Sequence, residues 1–421
     1  MKFTTNKTNL LNTLQKVTKA VPLKAPMPIL GGILFEVHNN YLTVTATNLD
    51  ISIQCTAKVN GIRDGSIVLP AHYITEIVKR LPDTREVEVE SNDLKTTLQY
   101  YASQSDTIGS QTVIQGFNSS SFPSFPSISN LKTLLTIKAK LLSEALKRVL
   151  FAVSYDESRP IFTGVLFQKN NFLKLVTTDT YRLVCKTLPQ TGEETGEETG
   201  EAIDNVIIPG KNLKELVKIL ARTEEQDDVE IYLGDNQVFF VIKPKNEDEQ
   251  EVYPTILVSR LIAGQFPLYQ RIIPQKFMFS VCLNTQELKA AVERAMLFTQ
   301  ENTWGNISLV TLNFQQEKCV VSTQTEAGGI KENLIIGKQF GQSADGQDGF
   351  LEDERSICFN ARYLVEALQV IPTEEVDFNI SGPLSAMVIH PVNRHEEDTE
   401  GKENTEEPDY LSLLLPVRGK E

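Results

Sequence analysis

The chain repeats itself three times, and this limits its architecture more than any other feature. Three segments share one layout: LLNTLQKVTKAV before PILGGILFEV, LLSEALKRVLFAV before PIFTGVLFQK, and ELKAAVERAMLFT before WGNISLVTLNF. Their apolar stripes (Leu11, Leu14, Val17; Leu142, Leu146, Val149; Leu288, Val292, Ala295) recur at helical spacing, and each leads through a short break into a β-rich run. A second motif recurs at 66–90, 205–233 and 356–380. In each copy a β-rich run meets Pro70, Pro209 or Asn360, a helix is expected two or three residues later, and a polar, acidic turn leads into another strand. The three copies imply one unit of about 125–150 residues with two helices and many strands.

Two junctions divide the copies. Gly116–Pro126 (GFNSSSFPSFP) and Ala263–Pro267 (AGQFP) each hold a Phe-Pro pair, so domains are expected at 1–125, 126–262 and 263–421. The polar, acid-rich segments 191–201, 341–354 and 392–409 read as solvated insertions between strands, or as acidic tails for partners. The cysteines Cys55, Cys185, Cys282, Cys319 and Cys358 are far apart and form no CxxC pair. They point to a reducing cytoplasm and away from a disulfide framework or a zinc site. No run approaches the roughly 18 apolar residues of a membrane helix, and the N-terminus lacks the apolar core of a secretory leader.

Charge is unevenly placed. The net charge of −14 argues against nucleic acid as a partner when taken alone. Yet the six expected helices, at 9–24, 71–81, 139–152, 210–222, 286–298 and 361–369, together carry +9, which leaves −23 on the rest. In 71–81, Ile74, Ile77, Val78 and Leu81 form the inward stripe and Lys79 and Arg80 lie off it. In 210–222, Leu213, Leu216, Val217 and Leu220 face inward while Lys211, Lys214 and Lys218 share another face. Lys16, Lys19, Lys147 and Arg148 add to the same pattern. Such faces serve as ordinary solvated surface, or as a sequence-independent phosphate-binding surface.

Catalytic signatures are missing. The sequence has no GxxxxGK[ST], GxSxG or HExxH, and its four histidines have no evident partners for a triad or a metal. No catalytic residue, metal or cofactor is expected.

The chain resembles the bacterial DNA polymerase III β subunit family, the sliding clamps. The strings that carry the resemblance are Met27-Pro-Ile-Leu-Gly31, Thr178-Asp-Thr-Tyr-Arg-Leu183, Phe266-Pro-x-Tyr-x-Arg271, Phe359-Asn360 with Tyr363, and Leu414-Leu-Pro-Val-Arg418, spread over the whole length. The resemblance implies an α+β fold of three tandem clamp domains, each with two helices packed on antiparallel sheets, and a head-to-tail homodimeric ring around duplex DNA. It implies a non-catalytic processivity factor whose partners are the replicative polymerase, the clamp loader and other clamp-motif proteins. It adds Lys24 to the DNA-contacting residues. It also places a partner-peptide pocket on Phe162, Thr178, Thr180, Tyr181, Arg182, Leu183, Pro267, Arg271, Ile272, Asn360, Tyr363, Leu384, Ala386, Leu414, Leu415, Pro416, Val417 and Arg418. Leu297 and Phe298 would face the other subunit; read without the resemblance, they are core. The chain departs from the family pattern at Thr180-Tyr181, where the family has Gly-His, and at the added Gly419-Lys420-Glu421.

Overall fold

The computed structural model describes residues 1–82, 86–101, 108–129, 131, 133–169, 172–188, 203–245, 253–299, 308–325, 328–341, 355–392 and 409–418. The acidic segments expected at 191–201, 341–354 and 392–409 lie outside these residues, apart from Gly341, Val392 and Asp409.

The first repeat runs β1 (Lys2–Thr5), α1 (Lys7–Val17), β2 (Gly32–His38), β3 (Tyr41–Thr47), β4 (Ile51–Lys58), β5 (Asn60–Arg63), β6 (Gly65–Pro70), α2 (Ala71–Arg80), β7 (Val87–Asn92), β8 (Lys95–Tyr101) and β9 (Ile108–Gln115). The second runs β10 (Thr133–Lys138), α3 (Ala139–Val149), β11 (Gly164–Lys169), β12 (Leu173–Thr178), β13 (Arg182–Leu188), β14 (Ile203–Pro209), α4 (Gly210–Leu220), β15 (Asp228–Leu233), β16 (Gln237–Lys243) and β17 (Thr255–Arg260). The third runs β18 (Phe279–Asn284), α5 (Thr285–Thr299), β19 (Leu309–Phe314), β20 (Lys318–Thr325), β21 (Gly328–Ile335), β22 (Lys338–Gly341), β23 (Arg355–Asn360), α6 (Ala361–Gln369), β24 (Glu375–Ile380), β25 (Met387–Pro391) and β26 (Tyr410–Leu414).

All six expected helices form, with local corrections. In α1 the buried stripe is Leu10, Leu14 and Val17, and Leu11 is only half-buried. This helix starts where the Asn6 side chain accepts the Asn9 N–H at 2.7 Å. It stops after one 3-10 turn, ahead of the prolines at 22, 26 and 28. In α4, Ile219 is buried and Val217 half-buried; in α2, Ile77 is likewise half-buried. The second helix of each repeat begins directly at Ala71, Gly210 or Ala361, with no gap. Pro70 and Pro209 end their strands with no N–H to satisfy, and Asn360 accepts the Arg362 N–H at 3.1 Å.

Contacts divide the chain into two compact units that cut across the repeats. The first unit takes residues 1–143 and 211–261 among those described. It holds a five-stranded sheet, β5-β1-β7-β8-β9, and an eight-stranded sheet, β10-β15-β16-β17-β4-β3-β2-β6. Helices α1 and α2 pack on each other, and α1 lies over β3 and β4. Leu10, Leu14, Phe35, Val44, Ile74 and Val78 are buried there, each worth about 1.5–3 kcal/mol relative to exposure. The second unit takes 144–188, 203–210 and the described residues from 262 onward. Its sheets are β14-β11-β12-β13-β26-β25-β24-β18-β22, with nine strands, and β21-β20-β19-β23, with four.

The long sheets explain this division. In the first unit β4 of repeat one pairs antiparallel with β17 of repeat two, Ile53 opposite Leu257. In the second, β13 of repeat two pairs antiparallel with β26 of repeat three, Leu183 opposite Leu413. Strand orders match in each copy: β4-β3-β2-β6 corresponds to β13-β12-β11-β14 and to β21-β20-β19-β23. The likeness extends to single hydrogen bonds. In the β3–β4 turn, the Leu49 N–H donates to Thr47 Oγ1 at 3.0 Å, and the Asp50 and Ile51 N–H groups both donate to Asn48 Oδ1 at 2.9 Å. In the β12–β13 turn, the Thr180 N–H donates to Thr178 Oγ1 at 3.1 Å, and the Tyr181 and Arg182 N–H groups donate to Asp179 Oδ1 at 3.0 Å. Both turns need a left-handed residue, Leu49 at φ 76° and Thr180 at φ 78°. Thr180 stands where the resemblance implies glycine, the residue that adopts such a φ without a steric cost.

Candidate functional site

The second unit contains a cavity of ≈ 360 Å³ between the β12–β13 turn, the start of α6 and the segment after α3. Its centre is Arg182, which is 6% exposed. Its Nε donates to Asp179 Oδ2 at 3.0 Å, one η-nitrogen donates to Glu366 Oε2, and the other to the Phe151 carbonyl at 2.7 Å. The guanidinium lies over the Tyr363 ring at 4.3 Å and over the Phe151 ring at 5.1 Å. Burial pushes the Glu366 carboxyl's pKa up, but the hydrogen bonds from Arg182 and Arg362 outweigh this and hold it below the usual glutamate range. Burial and the nearby Asp179 raise the Tyr363 pKa, so its hydroxyl stays neutral. Tyr181 is 60% exposed, and its ring faces that of Tyr363 at a centroid distance of 6.3 Å.

Beside this cavity lies an apolar cluster that includes Leu166, Leu183, Phe266, Tyr269, Val388 and Leu413, with Ala386 and Ile273 half-buried against it. Phe162 meets the Phe266 ring edge-to-face at 6.5 Å. The chain's last described residues are tied to the cavity wall and to β23: the Leu415 N–H donates to the Tyr181 carbonyl at 3.0 Å, and the Val417 N–H donates to the Cys358 carbonyl at 2.8 Å.

The expected pocket residues therefore have different roles. Tyr181, Arg182 and Tyr363 line the cavity, and Leu183, Ala386 and Phe162 belong to the apolar cluster or touch it. Thr178 donates from Oγ1 to the Arg182 carbonyl at 2.7 Å and is a turn residue. Asn360 caps α6. Pro267, Arg271, Ile272, Leu384, Leu415 and Arg418 stand exposed, and Pro416 and Val417 are half-buried. All three nitrogens of Arg182 are bonded within the fold, so it lines the cavity with its donors engaged. Leu414 is 1% exposed on β26, which lies inside the nine-stranded sheet between β13 and β25. The cavity lining also includes Phe151, Val153, Ser154, Tyr155, Asp179, Arg362 and Glu366, which sequence reasoning missed. Asp179 lay within a quoted string, and the Arg362–Glu366 spacing of four residues on a helix was a legible signal.

The basic helices keep their charge. The observed α1 to α6 carry +2, +1, +2, +2, 0 and 0, so the excess sits in the first two repeats. Lys24, Lys79, Arg80, Lys147, Lys211 and Lys218 are exposed, while Lys16, Lys19, Arg148 and Lys214 are half-buried. Several are already engaged within the chain: Lys16 Nζ with Thr255 Oγ1 at 3.2 Å, Arg80 with Glu76 at 2.9 Å, Lys211 with Asp50 at 2.8 Å and Lys218 with Glu215 at 2.7 Å. At the end of α5, Leu297 is 67% exposed and Phe298 half-buried. Leu297 is thus a surface residue, not core. Among the described residues, no three His, Cys, Asp or Glu side chains cluster so as to hold a metal ion, and no helix is long and apolar enough to cross a membrane.

Comparison with known proteins agrees with this geometry. The family models for the N-terminal, central and C-terminal domains of the DNA polymerase III beta subunit match residues 1–126, 136–268 and 270–400. A beta sliding clamp of Staphylococcus epidermidis is 29% identical, with 99% of each chain covered. The crystal structure of the Bacillus subtilis DNA polymerase sliding clamp superposes with a TM-score of 0.82 at 28% identity, covering 100% of both chains. That of the Streptococcus pyogenes DNA polymerase beta subunit gives 0.81 at 25%. With its three repeats matched in order by the three domain models, the chain belongs to the DNA polymerase III beta subunit family.

Proposed function

We propose that two copies of this chain close head-to-tail into a ring around duplex DNA and tether the replicative polymerase to it. The chain itself is a non-catalytic accessory subunit that works in the cytoplasm. The pairing rule inside the chain carries this reading. The outer strand of one half-repeat (β4, then β13) is covered antiparallel by the last strand of the following repeat (β17, then β26). The corresponding strands left over are β21, at one edge of the four-stranded sheet, and β9, at one edge of the five-stranded sheet. A second copy, offering its β9 to β21, continues the rule and closes the ring. Exposed Leu297 at the end of α5, which packs against β21, supports the same interface. The three domains are then 1–125, 126–262 and 263–421.

The register follows from the internal pairs. Val258 opposes Ser52, and Ile256 opposes Gln54. Mapped through the matching β8–β9 and β20–β21 ladders, these predict Val113 opposite Gly328 and Gln111 opposite Ile330 of the other copy. The experiment is oxidation of the Gln111→Cys, Ile330→Cys double variant, since directly opposed Cα atoms lie within disulfide range. A covalent closed dimer is expected from the double variant and none from either single variant. A monomeric product would refute the pairing.

A ring holds DNA topologically and needs only weak, salt-sensitive phosphate contacts, which suits basic helices in an otherwise acidic chain. Short partner peptides are read into the cavity and apolar cluster of the second unit, with micromolar affinity, about −8 kcal/mol. Apolar anchors go to the side of Phe162, Ala386 and Leu415, and polar groups to the side of Tyr181 and Tyr363.

A further inference from the structure

We propose that the third repeat is a charge gap in the wall of the DNA hole, so that phosphates are held along the first and second repeats alone; this rests on the ring reading above. The repeats align helix by helix. Leu146 of α3 and Val292 of α5 are matching buried positions, as are Leu213 of α4 and Leu364 of α6. The outward positions are then equivalent in pairs: Lys147 with Glu293, Lys214 with Val365 and Lys218 with Gln369. Exposure agrees within each pair. Lys147 and Glu293 are exposed, Lys214 and Val365 are half-buried, and Lys218 and Gln369 are exposed. The outward faces thus share one geometry, but the positive charge is lost at two positions and reversed at the third.

The basic residues that α5 and α6 keep are Lys289, Arg294 and Arg362. Each faces a carboxylate of its own repeat. Lys289 Nζ lies 3.7 Å from Glu293 Oε1, and Arg362 Nε donates to Glu366 Oε1 at 2.9 Å. Arg294 is held twice, from Nε to Glu332 Oε1 at 2.7 Å and from an η-nitrogen to Glu332 Oε2 at 2.6 Å. A guanidinium in such a bidentate pair gives up two charge-assisted hydrogen bonds if it turns to a phosphate. Pairing alone does not silence a helix: α4 pairs Lys218 with Glu215 and still carries +2. In α5 and α6 the acids match the bases in number, so neither helix has a surplus to offer a polyanion. A closed ring of two copies then has two basic arcs separated by two neutral ones, and the duplex leans on the basic arcs.

The test uses the full chain and a short fluorescein-labelled linear duplex, whose free ends let a closed ring thread on. Anisotropy is read over a salt series, with sedimentation confirming that each variant is still a dimer. Lys147→Gln with Lys218→Gln should lower the slope of log affinity against log salt by as much as about 3.6, since each phosphate contact contributes about 0.9 and the dimer loses four lysines. Lys289→Gln with Arg294→Gln removes as many charges from the third repeat and should leave the slope unchanged. Lys289→Gln alone gives the same reading should loss of the Arg294–Glu332 pair loosen β21. Glu293→Lys with Gln369→Lys should fill the gap, steepening the slope and tightening binding several-fold. A fall in slope for the third-repeat losses as large as that for Lys147→Gln with Lys218→Gln would overturn the proposal. So would an unchanged slope in Glu293→Lys with Gln369→Lys, which would mean that α5 and α6 turn away from the DNA. The ring reading fails by a different result, equal retention of the wild-type chain on cut and uncut circular plasmid, and the charge gap would fall with it.

Discussion

Replacing Arg182 by Met tests whether the buried guanidinium is the strut that holds repeats two and three together. Met keeps the apolar stem and removes the three hydrogen bonds to Asp179, Glu366 and the Phe151 carbonyl. Deleting one member of a buried ion pair costs about 3–5 kcal/mol when its partner is left without compensation. Compensation here is partial. Asp179 keeps the backbone N–H groups of Tyr181 and Arg182, and Glu366 keeps Arg362 and is 25% exposed. A loss of about 2–4 kcal/mol is therefore expected. Arg182→Lys retains the charge but cannot reach three acceptors in one plane, so a loss of about 1–2 kcal/mol is expected. Urea titration followed by circular dichroism measures both. Acid sensitivity supplies a second readout. The folded pKa of Glu366 lies below its unfolded value. The ionised carboxyl's contribution is thus complete above the unfolded value, about 4.3, and is lost as pH falls through the lower folded value. Glu366→Gln should flatten that part of the stability–pH curve. A change below about 0.5 kcal/mol for Arg182→Met, the size of an ordinary surface substitution, would refute the strut.

Three further outcomes follow from the geometry. Thr180→Gly removes a β-branched residue from φ 78°; relief of strain against the added freedom of the unfolded chain should leave a gain of about 0.5–1 kcal/mol, seen as a higher melting midpoint. Leu297→Asp should yield folded monomers by sedimentation with an unchanged circular dichroism spectrum, because the side chain is 67% exposed in one chain. Lys147→Glu with Lys218→Glu, both exposed, should shorten retention on DNA while shifting stability by no more than about 0.5 kcal/mol.

How far the sequence spoke depended on the range of the interaction. Helices were legible because Leu142, Leu146 and Val149 sit at the spacing a buried face requires, and all three are buried. The choice between Leu10 and Leu11 was not, since both fit the periodicity and only packing over β3 and β4 selects Leu10. The strand pairs that join repeats, β4 with β17 and β13 with β26, were out of reach. They bring together backbone edges some 200 residues apart, and alternating apolar residues fit many partners equally well. The Arg182–Glu366 contact spans 184 residues, so neither side chain announced the other. Thr180, in contrast, was flagged in sequence as a departure from a glycine, and its positive φ supplies the reason.

The ring is tested most directly by topology. The chain is loaded onto a closed circular plasmid and washed at about 0.5 M salt, where phosphate contacts are heavily screened. One restriction cut is then made and the bound chain is counted before and after. Encirclement predicts that the protein stays on the closed circle and leaves at the cut ends, and that the Gln111→Cys, Ile330→Cys cross-linked dimer, closed after loading, shows the same behaviour more sharply. Equal retention on cut and uncut plasmid, or complete loss from both in that salt, would contradict it.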